Sequence, residues 1–426
     1  MAIETPNEWL GYVARTDPGR VCLVSDEEVL TYGEVLEFVE ARAGEITASI
    51  NEHEIVLVKV EIDVRSIIES LAIQVAGGVP LPYIGEPPEL PVATAEGAAV
   101  CVETSGTGGL RKIVPLSYAN IAVSVTASRQ RLGNGADDRW LLSLPLNHVG
   151  GLSILWRSLE AGGAVIVSPF DSSGGPIERY RPTYASMVPT MVHRLLQRNP
   201  DALASIGAVL VGGASLSSRL WSEADGAGVH LVPTYGMTET GSQIATLPAR
   251  DDRRELGLVG RPLDGFSVTI VDPAGANVAA LTTGRIAVEG PAVFHSYLGE
   301  AERSKPFVTS DLGRLSITGD LYIEGRRDDV VVSGGENVST VHVADALAGI
   351  DGVSDVCVVS IDDSEWGSIV VAMVVADRRI DSSTTMVATL LDRQVRPKRW
   401  IMTDEIPKLH NGKHDVEAVR AAFDSG

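Results

Sequence analysis

The apolar positions fall into short β-branched runs separated by stretches with a helical repeat, the pattern of a mixed α/β sheet protein. "EIVLVKVEI" (54–62) predicts a strand and "RSIIESLAIQVAG" (65–77) an amphipathic helix that stops at glycine. "AVIVSP" (164–169), "YASMVP" (184–189) and "AVLVGGA" (208–214) predict short buried strands, with "TMVHRLLQRN" (190–199) as the helix between two of them. Helices on both faces of such a sheet make this the larger domain.

The texture changes after residue 260. "GFSVTIVDPAG" and "GRIAVEGPAVFHSYL" read as hairpin strands with turn residues between them. "LYIEGRRDDVVVSGGENVS" (321–339) reads as a strand, a charged turn, a second strand and a glycine turn. "TVHVADALAGI" predicts a short helix, "SDVCVVSI" and "SIVVAMVVA" strands, and "KHDVEAVRAAF" a closing helix. The expected fold class is α/β. A large N-terminal domain with several sheets covers 1–325 and a small α+β C-terminal domain covers 326–426, with the boundary in the charged turn near Arg326–Asp328.

Composition narrows the function classes. The chain has 426 residues and is 44% apolar, enough for a large core and too apolar for disorder. A net charge of −21 argues against nucleic acid or an anionic membrane surface as partner. A site for polyphosphate must therefore gather its cations locally. Cys22, Cys101 and Cys357 each lie in an apolar run without metal-ligand spacing, so buried structural thiols are expected. "MAIETPNEWL" has no basic segment followed by an apolar one, and no window approaches the roughly 18 apolar residues of a membrane helix. A cytoplasmic protein without membrane insertion is the expectation.

Chemistry concentrates in a few segments. "ETSGTGGLRKIVPLS" (103–117) packs hydroxyls, glycines, Arg111 and Lys112 into one loop. Convergent backbone N–H groups there suit an anion, with Thr104, Ser105 and Thr107 as hydroxyl donors and Lys112 as a point charge. The spacing fits neither a P-loop nor a dinucleotide fingerprint, and a flexible glycine-rich hairpin tip is the competing reading. "VPTYGMTETGSQIAT" (232–246) follows the strand "GVHLV"; it offers Glu239 to a hard cation such as Mg²⁺ and the ring of Tyr235 to a base, or else it is a solvated turn.

Together these segments resemble the adenylate-forming superfamily of acyl-CoA synthetases, nonribosomal adenylation domains and luciferases. Thr104-Ser105-Gly106-Thr107-Gly108-Gly109-Leu110-Arg111-Lys112 is similar to that family's phosphate loop, T-S-G-T-T-G-x-P-K. "YGMTE" (235–239) resembles its adenine- and Mg-binding motif, and "SDLGRL" (310–315) the segment whose aspartate, Asp311, holds the ribose. "GRRDDVVVSGGENVS" resembles the hinge and the loop after it, with Arg326 near the ribose and Asp328 as hinge. "IPKLHNGKHD" (406–415) resembles P-K-x-x-x-G-K and makes Lys413 the lysine of a mobile C-terminal domain. "LPLNHVGGLSILWRSLEAGGAVIV", "SMVPTMVHRLL" and "VLVGGASLSSRL" look most like the o-succinylbenzoate–CoA ligase branch of menaquinone synthesis.

The resemblance implies ATP-dependent activation of a carboxylic acid to an acyl-adenylate, then displacement of AMP by the CoA thiol. ATP, Mg²⁺, CoA and a small carboxylic acid, an aryl acid favoured, are the implied ligands, and a homodimer is left open as the assembly. The implied catalytic set is Lys413, Glu239 and His148, the histidine lining the acyl pocket rather than moving protons. Nucleotide contacts fall to Thr104, Ser105, Gly106, Thr107, Gly108, Lys112, Gly213, Ala214, Tyr235, Gly236, Thr238, Asp311 and Arg326. His148, Gly212 and Met237 line the acid pocket, Gly334, Gly335 and Glu336 the CoA channel, and Glu239 holds the metal. His193, His230 and His410 read as structural, and Met187 and Met191 as core or pocket wall. Gly108 and Arg111 depart from the family's threonine and proline, and Asn147 from its aromatic residue. Rival readings are adenylation of another aryl or acyl acid with transfer to CoA, a carrier protein or an amine, and a nucleotide-binding pseudoenzyme.

Overall fold

The computed structural model describes residues 5–91, 95–104, 111–326, 330–333, 336–363, 366–381, 384–393, 395–408 and 414–424. Its main feature is an eight-stranded sheet whose middle strands are all parallel. In order they are Leu231–Met237, Ala208–Val211, Tyr184–Met187, Arg139–Leu142, Ala164–Val167 and Val21–Val24. Antiparallel strands close both rims, Ser242–Thr246 at one and Val29–Thr31 at the other. Ala164–Val167 and Ala208–Val211 are buried at every position, as strands covered on both faces must be.

Alternate residues of these strands feed two separate cores. Trp140, Leu142, Val165, Val167 and Leu210 pack on one face with the Val149–Ala161 helix. Leu141, Ile166, Met187, Val209 and Val211 pack on the other with the Pro189–Arg198 and Ser218–Gly226 helices. The three cysteines are buried, Cys22 and Cys101 deeply enough that desolvation pushes both thiols up.

From Leu258 the chain forms an antiparallel five-stranded sheet, whose central strand Phe307–Leu315 lies between Gly284–Glu289 and Leu321–Arg326. "GRIAVEGPAVFHSYL" is a strand only as far as Glu289. At Gly290 the backbone turns with φ +149°, and the remaining residues form a loop in which Phe294 packs edge-on against Phe307 of the central strand (ring centres 5.2 Å apart) and Tyr297 lies beside it (4.8 Å). After Arg326 pairing changes sheet. Val330–Ser333 and Glu336–Ser339 join Gly367–Ala376, Val353–Asp363 and Arg399–Met402 in a C-terminal sheet, with separate apolar clusters around Val370 and Val371 on successive positions of one strand. Met187 is core, and Met191 packs beside it. Residues 98–104 and 112–117 form an antiparallel hairpin with Thr104 opposite Lys112, so the glycine-rich segment connects the two strands of a hairpin.

Candidate active site

The site is organised by one hairpin at the sheet rim. Leu231–Met237 runs parallel to Ala208–Val211 on one side and antiparallel to Ser242–Thr246 on the other. Sequence patterning ends this strand before Tyr235, whereas the structure carries it through Met237. The short Ser242–Thr246 strand supplies the partners that extend it. Gln243 Nε2 donates to Thr234 Oγ1 (2.8 Å), and Thr246 Oγ1 donates to the Pro233 carbonyl (2.9 Å). Pairing of this kind is set by a neighbouring strand, so periodicity along a single segment does not reveal it.

The turn between these strands is a 3-10 turn, Thr238–Thr240, closed by Gly241 at φ +61°. The register slips between Tyr235 and Gly236. A Cβ at Gly236 would lie 1.7 Å from the Ser242 carbonyl oxygen, so no side chain fits there. Ser242 itself holds φ +113°, and its carbonyl accepts from Thr240 Oγ1 at 3.1 Å.

Three of the expected nucleotide residues meet at one end of this hairpin. The Tyr235 hydroxyl donates to Asp311 Oδ2 (2.6 Å), and Arg326 Nε lies 3.6 Å from Asp311 Oδ1. Asp311 and Arg326 stand opposite each other in adjacent strands, so the sheet fixes their spacing. Burial, reinforced by the Asp311 charge, pushes the Tyr235 hydroxyl well above its ordinary value and keeps it a donor.

Glu239, Tyr297 and Lys112 form a second group. The Tyr297 hydroxyl donates to Glu239 Oε1 (2.9 Å), and Lys112 Nζ lies 4.2 Å from the centre of the Tyr297 ring. Burial and then the Glu239 charge push the Tyr297 hydroxyl up. Lys112, expected to meet a phosphate, contacts Glu300 at 2.9 Å. Arg111 is exposed and pairs with Glu103 at 3.0 Å. Among the described residues no group of three or more His, Cys, Asp or Glu side chains gathers. One carboxylate nonetheless fits Mg²⁺, which keeps waters and substrate phosphates among its ligands.

The expected pocket residues come from three elements. Gly212 follows the Ala208–Val211 strand, and a Cβ there would meet Thr234 Cγ2 at 2.9 Å. Gly213 holds φ +77° and Ala214 is exposed. Met237 is half-buried against the main core, and Thr238 opens the turn. His148 is the N-cap of the Val149–Ala161 helix, and Asn147 Oδ1 is buried without a partner among the described residues. His193 Nε2 contacts Gln197 (2.9 Å) on the same helix, while His230 Nε2 is buried without a partner among the described residues. Thr104 Oγ1 donates to the Lys112 carbonyl at 3.3 Å. Ser105, Gly106, Thr107, Gly108, Asp328, Gly334, Gly335, His410 and Lys413 lie outside the described residues, and Glu336 opens the Glu336–Ser339 strand.

Sequence reasoning missed Tyr297 and Arg157. Arg157 is 2% exposed, donates from Nη2 to Ser242 Oγ (3.1 Å), and leaves Nε without a partner among the described residues. No carboxylate pairs with it among the described residues, and burial pushes its guanidinium down to about 9. An arginine inside the apolar helix "VGGLSILWRSLEA" is the signal that could have pointed to it.

The AMP-binding enzyme family profile matches residues 83–298, and that of the AMP-binding enzyme C-terminal domain matches 342–413. A 2-succinylbenzoate–CoA ligase of Enterococcus faecalis is 32% identical over 330 residues, covering 75% of this chain and 68% of that protein. One from Listeria monocytogenes is 29% identical over 462 aligned positions, covering 95% and 97%. The o-succinylbenzoate CoA synthetase of Bacillus subtilis, solved with its acyl-adenylate intermediate OSB-AMP, superposes with a TM-score of 0.86 at 25% identity, covering 97% of both chains. The same enzyme with ATP and magnesium ion gives 0.85, covering 96% and 98%, and a double mutant with the product analogue OSB-NCoA gives 0.70, covering 97% and 98%.

Proposed function

Because the chain belongs to the AMP-binding enzyme family, we propose that it is an AMP-forming acid–thiol ligase joining 2-succinylbenzoate to CoA at the expense of ATP. The observation that carries the reading is the meeting of Tyr235, Asp311 and Arg326 beside the turn that bears Glu239. Asp311 accepts from the ribose hydroxyls, Arg326 adds a positive charge beside that carboxylate, and Tyr235 offers its ring to adenine. Glu239 would hold Mg²⁺, which neutralises phosphate charge when bound.

The acid carboxylate attacks the α-phosphorus and pyrophosphate leaves; the CoA thiol then attacks the acyl carbon and AMP leaves. Two anions must be brought together in the first step, so the site works chiefly by positioning and charge neutralisation. The loop around Ser105, Gly106, Thr107 and Gly108 takes the outer phosphates, and Lys413 contacts the acid and the α-phosphate. His148, Gly212 and Met237 line the acid pocket. 2-Succinylbenzoate carries a second carboxylate, and the buried Arg157, which no carboxylate pairs with among the described residues, supports an acid of that charge.

The division at 325/326, with Asp328 as hinge, lets the small domain turn between the two half-reactions and present Gly334, Gly335 and Glu336 to CoA. The closer superposition on the adenylate-bound relative than on the product-analogue complex supports an adenylation arrangement for the described chain. We place the reaction in the cytoplasm, where ATP and CoA are supplied; among the described residues no helix is long and apolar enough to cross a membrane. A screen of pyrophosphate release over aryl and acyl acids, with and without CoA, tests the reading. Turnover with 2-succinylbenzoate that yields its CoA thioester supports it, and turnover only with another acid or acceptor refutes it.

A further inference from the structure

Lys408 and His414 face each other in an isolated antiparallel bridge, and the Asp415 N–H donates to the Pro407 carbonyl (2.9 Å). The described residues on either side of 409–413 are therefore held together. Both side chains end on the same carboxylate: Lys408 Nζ lies 2.7 Å from Asp355 Oδ2, and His414 Nε2 lies 2.9 Å from Asp355 Oδ1. Oδ1 also accepts from the Val356 N–H at 3.0 Å. All three side chains are about a quarter exposed (28%, 25% and 26% for Asp355, Lys408 and His414), so the cluster is partly shielded from solvent.

We propose that Asp355 is a positioning residue for the adenylation step, holding together Lys408 and His414, the residues that flank the stretch ending at Lys413. The inference rests on the reading of Lys413 as the lysine that serves acyl-adenylate formation. Lys413 is joined directly to His414, so fixing His414 limits where the lysine reaches. Burial disfavours the Asp355 charge, but the bonds from His414 and Lys408 outweigh it, and the net shift holds the carboxyl below the usual range. Asparagine keeps the size but offers one acceptor and an NH₂ group that repels Lys408.

The test measures the two half-reactions separately in the full chain, following pyrophosphate release from 2-succinylbenzoate and ATP, and thioester formation from CoA and the synthetic acyl-adenylate. Asp355→Asn should slow the first about 10- to 100-fold, the size of a small misplacement of a reacting group, and change the second less than about twofold. Asp355→Glu, which keeps the charge, should recover part of the loss. An equal fall in both half-reactions, or no fall in the first, overturns the proposal. Lys413→Ala is measured alongside: if it leaves adenylation intact, the reading of the lysine fails and the clamp with it. If Lys413→Ala is crippled while Asp355→Asn is normal, only the clamp fails.

Discussion

At the scale of single residues, the proposed nucleotide end of the site depends on a hydroxyl and a carboxylate from distant parts of the chain. Tyr235→Phe removes the donor to Asp311 and leaves Arg326 as its partner. A hydrogen bond to a charged group is worth about 1.5–3 kcal/mol, so the KM for ATP should rise roughly tenfold or more; an unchanged KM in pyrophosphate-release assays would contradict the role. Asp320 is a structural counterpart. It is buried, paired with Arg253 at 3.1 Å, and held by Thr318 at 2.9 Å. Burial raises its carboxyl, but Arg253 and Thr318 win and the net shift is downward. Its contribution is thus present above the unfolded carboxylate value of about 3.9 and lost as pH falls through the lower folded value. Asp320→Asn should destabilise the protein by about 1–3 kcal/mol near neutral pH, with the difference from the parent shrinking below about pH 4 in urea titrations. Tyr235, Glu239 and Asp311 stand out in the sequence as candidates because each sits in a short motif. Tyr297 does not, since only the path of the loop after Gly290 brings it to Glu239.

At the scale of elements, the short buried strands were legible from their β-branched runs, and the helices from their repeat. The extension of the Leu231–Met237 strand was not, because its partner lies beyond a turn and the pairing is set by tertiary contacts. That pairing leaves no room at Gly236. Gly236→Ala must push Ser242 away, displacing the turn that carries Glu239. The expected result is a loss of about 10- to 100-fold in kcat/KM, with secondary structure by circular dichroism retained. Full activity in the alanine variant would show that the close approach is not needed.

At the scale of the molecule, the mixed α/β class with a C-terminal domain was legible in the sequence, whereas the contacts that the C-terminal domain makes were not. Ser218 donates to Asp345 from both its N–H (2.8 Å) and its hydroxyl (3.0 Å), and Arg219 donates to the carbonyls of Ala348 (3.2 Å) and Val353. These polar contacts join the Ser218–Gly226 helix to the C-terminal domain. Each is worth about 0.5–1.5 kcal/mol, so Arg219→Ala should broaden the distribution of distances between spin labels placed on the two domains and slow adenylation about 2- to 10-fold. An unaltered distribution would mean that Arg219 does not hold the domain. The rim of the eight-stranded sheet has a consequence of another kind. Ser242–Thr246 would expose an open ladder to neighbouring molecules, but Ala245 bridges to Pro262, and the Leu263 N–H donates to the Ile244 carbonyl at 2.8 Å. The Pro262–Leu263 segment is thereby a guard against edge-to-edge aggregation of the hairpin, and changes that loosen it threaten the solubility of the chain along with its turnover.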